Sequence, residues 1–143
     1  MSRAVEDTNR RMLSARDAMD RSYAEPLDIP ALARIAHVSR AHFIRTFQAT
    51  FGETPHRYLQ RRRVERAMYL LRATSRTVTE IRHEVGFTSL GTFSRTFSEI
   101  LGESPSAYRR RLGPIPDVPS CFAMSWMRPS TFGEGRQPRR PIA

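Results

Sequence analysis

One stretch of this chain is written twice. FIRTFQATFGETPHRY, from Phe43 to Tyr58, returns fifty positions later as FSRTFSEILGESPSAY, from Phe93 to Tyr108. An internal repeat of this kind restricts the fold to two copies of one supersecondary unit. Phe43, Phe47 and Phe51 recur every four residues, so they fall on one side of a helix; Phe93, Phe97 and Leu101 do the same in the second copy. Gly52 and Gly102 stand where a helix ends in a left-handed residue. Thr54-Pro55 and Ser104-Pro105 then read as a capping side chain followed by proline in the first helical turn. Phe, Gly, Pro and Tyr at these shared positions build, stop and restart helices, and folding alone accounts for them.

Alternating strand patterns are absent from the rest of the chain, and helix punctuation is frequent. A first helix is expected from about Thr8 to Ser22, with Met12, Ala15, Met19 and Tyr23 on one stripe and a break at AEPLD, where Pro26 disfavours helical geometry at Glu25. Asp28 caps a short helix from Ile29 to about Ala36, with Leu32 and Ile35 as its apolar face, and Ser39 caps the next, Arg40 to Phe51. From Pro55 a helix runs to about Leu71, roughly 25 Å at the usual rise. Tyr58, Leu59, Val64, Met68 and Leu71 are its expected buried residues, with RRRVER on its exposed faces. The pattern then restarts: Thr77 to Glu80 is a capping-box signature, Ile81 and Val85 are an apolar pair, and GFTS is a turn. Ser89 to Leu101 is the second long helix, and a last helix ends near Arg111. The chain is therefore read as all-α, with two helix-turn-helix copies, the second carrying one extra residue in its turn. The expected divisions are an N-terminal helix (1–27), a first helix-turn-helix (28–54), a linker helix (55–73), a second helix-turn-helix with a terminal helix (74–112) and a Pro-rich, largely disordered tail (113–143) that holds CFAMSWM and Cys121.

Charge narrows the partner. All 24 basic residues are arginine, and the net charge is +10. From Asp28 to Leu112 there are 15 Arg against 7 acids, whereas residues 1–27 are balanced. A basic, structured segment favours an anionic partner, nucleic acid ahead of a membrane surface. No apolar run is long enough for a membrane span. No secretory leader is evident, the single cysteine has no internal disulfide partner, and a cytoplasmic location is the expectation. No metal-ligand spacing, phosphate loop or nucleophile-base set is present, which argues against an enzyme and against a cofactor or metal.

A helix-turn-helix places its second helix in the DNA major groove, where side chains reach base edges. Rotating 100° per residue from the phenylalanines leaves Arg40, Ala41, His42, Arg45, Gln48 and Ala49 outward on the first such helix. Leu90, Gly91, Thr92, Arg95, Ser98 and Glu99 face outward on the second, with Ser94 at the border. Arg45 and Arg95 are equivalent, and arginine there can bond guanine O6 and N7 bidentately. A tandem repeat in one chain suits an asymmetric double-stranded site bound by a monomer. A non-specific or architectural nucleic-acid binder is the alternative, given the charge and the apolar Leu90 and Gly91.

The stretch from LARIAHVSRAHF to SPSAYRRR resembles the DNA-binding domain of AraC/XylS-type regulators, most specifically in VGFTSLGTFSRTFSEILGESPSAYRRR. The resemblance implies seven helices, two helix-turn-helix subdomains joined by a long helix, and transcription regulation in the bacterial nucleoid, commonly activation through contact with RNA polymerase. It implies base contacts from Ala41, Ile44 and Arg45 and from Leu90, Gly91, Thr92, Ser94 and Arg95. Phosphate contacts are expected from Ser39, Arg61, Arg62, Ser89, Arg109 and Arg110. The stretches flanking the two copies are too short for the small-molecule sensor domain many relatives carry. One residue departs from the family pattern: Arg82 stands where a small residue is usual, and a buried guanidinium must snorkel, pair with an acid or reach a phosphate.

Overall fold

A computed structural model describes residues 2–116, in which seven helices are the only regular elements. They are α1 (Arg3–Arg21), α2 (Ile29–Ile35), α3 (Arg40–Phe51), α4 (Pro55–Ala73), α5 (Val78–Val85), α6 (Leu90–Leu101) and α7 (Pro105–Leu112). The chain divides into two compact units, Met1–Gln60 and Arg61–Ala143, and α4 contributes its first turns to the one and the rest to the other. CFAMSWM and Cys121 lie outside the described residues.

Helix ends follow from side-chain caps. Asp28, Ser39, Thr77, Ser89 and Ser104 each accept a backbone N–H from three residues on, satisfying a donor that the helix itself leaves unpaired. Gly52 and Gly102 end α3 and α6 at φ 78°, a region a Cβ disfavours. The first helix begins five residues earlier than expected, at Arg3. Ser2 accepts from the Val5 amide at 3.3 Å, and Glu6 complements the helix N-terminus.

In the first unit, Met12, Ala15 and Met19 of α1 pack with Leu32, Ala33 and Ala36, with Phe43 and Phe47 of α3, and with Tyr58 and Leu59 of α4. Phe47 is the hub of an aromatic cluster, its ring 5.7 Å from Phe43, 4.7 Å from Phe51 and 5.8 Å from Tyr58. Ile35 was expected in this core but is 40% exposed. With α2 only seven residues long, the alanines take the inner side and let the helices approach closely.

In the second unit, Val64, Ala67 and Leu71 of α4 are buried along with Ile81, Val85, Phe93 and Phe97. Met68 and Leu101, expected to be buried, are only half-buried, and Thr96 is buried although its first-copy counterpart Thr46 is not. The residues that follow α7 are bonded to α4. Gly113 accepts from Arg72 Nε at 3.1 Å and Ile115 N–H donates to the Arg72 carbonyl, so the chain after α7 is tied to α4.

The repeat reaches further back than the sequence identity does. Met12, Ala15 and Met19 correspond to Val64, Ala67 and Leu71 at one constant offset, so α4 does for the second unit what α1 does for the first. The same offset pairs Asp20 with Arg72, and each meets the repeated tyrosine. Tyr58 Oη donates to Asp20 Oδ1 at 2.7 Å with Asp20 only 6% exposed, and the Arg72 guanidinium lies near the Tyr108 hydroxyl. Burial raises the Tyr108 hydroxyl above its ordinary pKa, and the positive charges of Arg72 and Arg111 oppose that shift. Tyr58→Phe removes a buried bond to a carboxylate and is expected to cost about 1.5–3 kcal/mol. Urea denaturation of the variant checks this, and a midpoint unchanged from wild type would show that Asp20 draws nothing from the hydroxyl.

The two turns solve one problem with different residues. His37 follows α2 at φ 57° and Gly86 follows α5 at φ 93°, and the next amide in each copy reaches back to the first helix, Val38 to Ala33 and Phe87 to Arg82. A histidine held left-handed is strained where glycine is not. His37→Gly is therefore expected to stabilise the first unit by about 0.5–1 kcal/mol, read as a rise in its thermal midpoint.

Candidate nucleic-acid interface

Anchoring α3 and α6 through phenylalanines fixes what they leave outside. Ser39, Arg40, Ala41, His42, Ile44, Arg45, Gln48 and Ala49 are all exposed on α3 or at its cap. On α6 the exposed residues are Leu90, Gly91, Arg95 and Glu99, while Thr92, Ser94 and Ser98 are half-buried. Arg40, Arg45 and Arg95 make no hydrogen bond or ion pair among the described residues, so their guanidinium donors are available. Each face thus presents an equivalent arginine near the middle of a helix whose N-terminus carries the positive end of its dipole.

The two faces differ at their first turns. Ser39 Oγ accepts from the His42 amide at 3.2 Å and keeps its own proton to give. Ser89 Oγ accepts from the Thr92 amide at 3.1 Å and also donates to Thr92 Oγ1 at 2.9 Å, which passes the available proton on to Thr92. α3 holds no carboxylate, whereas α6 carries Glu99 one turn after Arg95.

The arginines expected on phosphates separate into two groups. Arg110 is exposed and makes no bond among the described residues. Arg109, in contrast, donates from Nε to the Leu71 carbonyl at 2.8 Å and from Nη2 to the Thr74 carbonyl, holding α7 against the end of α4. Arg62 was expected on an exposed face but is only 7% exposed. It and Arg61 both bond Glu65, at 2.7 and 2.6 Å, because an acid one turn on draws both guanidinium groups along the helix. Arg34, in the last turn of α2, was not singled out beforehand; it is exposed and unpaired among the described residues. Its signal in the sequence is a basic residue closing the first helix of a helix-turn-helix, the element that crosses the DNA backbone.

Arg82 is half-buried rather than buried. Its Nη1 donates to the Phe87 carbonyl at 3.2 Å, and its Nε is buried without a partner. Phe87 in turn donates its N–H to the Arg82 carbonyl and stacks 5.2 Å from Phe93, so Arg82 clamps both sides of the longer turn. No group of His, Cys, Asp and Glu that could hold a metal ion occurs among the described residues. None of their helices is long and apolar enough to cross a membrane.

Residues 32–111, more than half the chain, match a helix-turn-helix domain family. The chain belongs to the AraC/XylS-type helix-turn-helix family. The family and fold are those of DNA-binding transcription regulators rather than enzymes. AraC/XylS-type relatives include the MmsAB operon regulatory protein of Pseudomonas aeruginosa, 35% identical over 86 residues that make up 60% of this chain but 28% of that protein. The regulatory protein SoxS of Salmonella typhimurium is 33% identical over 94 residues, 66% of this chain and 88% of SoxS. Among solved structures, the DNA-binding domain of AdpA in complex with a target DNA is similar, with 31% identity and a TM-score of 0.66. The likeness covers 71% of this chain and 91% of that one.

Proposed function

We propose that the chain is a sequence-specific regulator of transcription that inserts α3 and α6 into successive major grooves of an asymmetric double-stranded DNA site, as a monomer. The observation that carries this reading is the pair Arg45 and Arg95, equivalent in the repeat, exposed, and unengaged among the described residues. Each can present two parallel N–H donors to guanine O6 and N7. Arg40, His42 and Gln48 extend the hydrogen-bonding reach of α3, and Ala41, Ile44, Leu90, Gly91, Thr92 and Ser94 complete the base-facing surface. Ser39, Arg34 and Arg110 supply phosphate contacts that fix register and orientation. The solved complex of the AdpA domain with a target DNA supports the partner. Contact with RNA polymerase follows from the family and is part of the same proposal.

The apolar start of α6 favours one competing reading, in which the second unit grips DNA without choosing sequence. Selection from a random double-stranded pool with the full chain separates the two. An asymmetric motif in two blocks about 10 bp apart is the expected product. A pool that stays random, together with binding that falls steeply with salt, would assign the chain to non-specific binders.

A further inference from the structure

We infer that Leu90 is a specificity residue that reads the C5-methyl group of a thymine in the block of DNA facing α6. The inference rests on the DNA-reading function proposed above and names the base feature that the second reading helix recognises.

Leu90 is the first residue of α6 and is 45% exposed, although its neighbours in the repeat supply a complete core. The fold does not require an apolar side chain there: Ser89 caps the helix, and the equivalent position in α3 is the polar Arg40. The surroundings remove the competing means of recognition. Gly91 offers no side chain, and a Cβ at that position would meet nothing within 4 Å, so the protein itself leaves the space beside Leu90 open. Ser89 and Thr92 spend a hydroxyl bond on each other at 2.9 Å, leaving one proton between them. The first turn of α6 therefore presents a branched hydrocarbon with an open floor and little hydrogen-bonding capacity, and this is the part of a reading helix that meets base edges. In the major groove the apolar group that projects from the four ordinary bases is the thymine methyl; cytosine has only a C5 hydrogen at that place, and the remaining groups are donors or acceptors. A hydrogen-bonding edge placed against Leu90 would lose its water with nothing in return. Arg95, a turn and a half further on, then reads a hydrogen-bonding base pair beside the thymine.

The test uses the full chain and the motif recovered by selection, with each thymine of the α6 block replaced in turn by uracil, which removes the methyl alone. At one position wild type is expected to bind the uracil site about three- to five-fold more weakly, the scale of burying one methyl group. Leu90→Ala is expected to bind the two sites equally, whereas Leu13→Ala, an exposed apolar residue of α1 outside the reading faces, keeps the contrast. A duplex carrying 5-methylcytosine at that position restores the same methyl on another base. Reading of the methyl by Leu90 predicts that it binds about three- to five-fold more tightly than the same duplex with plain cytosine, and no gain from that methyl would overturn the inference. A motif whose α6 block contains no thymine, or shows no uracil effect at any thymine, overturns the inference and leaves the proposed function standing. The absence of any motif takes down both.

Discussion

Phe47→Ala is expected to lower the stability of the first unit by about 3–5 kcal/mol, a large fraction of its total. The ring is fully buried at the centre of the Phe43, Phe51 and Tyr58 cluster, so truncation removes transfer energy, three aromatic contacts and the filling of a cavity together. A unit of this size commands only about 3–9 kcal/mol in total, so a loss of that order removes from about a third to all of it. Phe47→Leu retains most of the volume and is expected to cost less than half as much. Phe97→Ala is the matching change in the second unit, where the ring lies 5.8 Å from Phe93 and 5.6 Å from Tyr108. Urea titration followed by circular dichroism measures both. A loss below about 1.5 kcal/mol for Phe47→Ala would mean that neighbouring side chains collapse into the space, and that the ring is not the keystone its contacts indicate.

The same phenylalanines explain why the outward faces of α3 and α6 were legible from sequence while other features were not. A four-residue recurrence of a large ring fixes the rotation of a helix, and once Phe43 and Phe47 point inward the outward positions of Arg40, Ala41, His42, Arg45 and Gln48 follow from geometry. In α4, Tyr58, Leu59, Val64, Ala67, Leu70 and Leu71 spread round more than one side, so periodicity gave no clear exposed face and Arg62 was misplaced. Arg62 could be placed only through Glu65, and Arg109 only through the carbonyls of Leu71 and Thr74, contacts that span 38 and 35 residues. The correspondence of α1 with α4 is hidden in the sequence because its core members share apolar character rather than identity, Ala15 and Ala67 apart. Caps and glycines were legible because they act within four residues of themselves; bonds such as Tyr58 to Asp20 were not, because nothing local to either residue announces the other.

Arg45→Ala is expected to weaken binding to the selected site by about 1–3 kcal/mol, roughly five- to 150-fold, and to blur one block of the motif. Arg95→Ala does the same for the other block. The magnitude follows from losing a bidentate, charge-assisted pair inside a groove, where the base edge left behind cannot recover its water. Arg45→Lys keeps the charge and loses the fork, so it is expected to retain much of the non-specific affinity without restoring base preference. Arg110→Ala provides the contrast. Its side chain is exposed and unengaged among the described residues. Removing a phosphate contact lowers affinity for all sequences alike and reduces the slope of log affinity against log salt by about one. Binding measured over a range of salt concentrations on both the selected and a scrambled duplex separates these behaviours. If Arg45→Ala weakened both duplexes equally, its guanidinium would be gripping phosphate, and base reading by the first unit would fall to Arg40, His42 and Gln48.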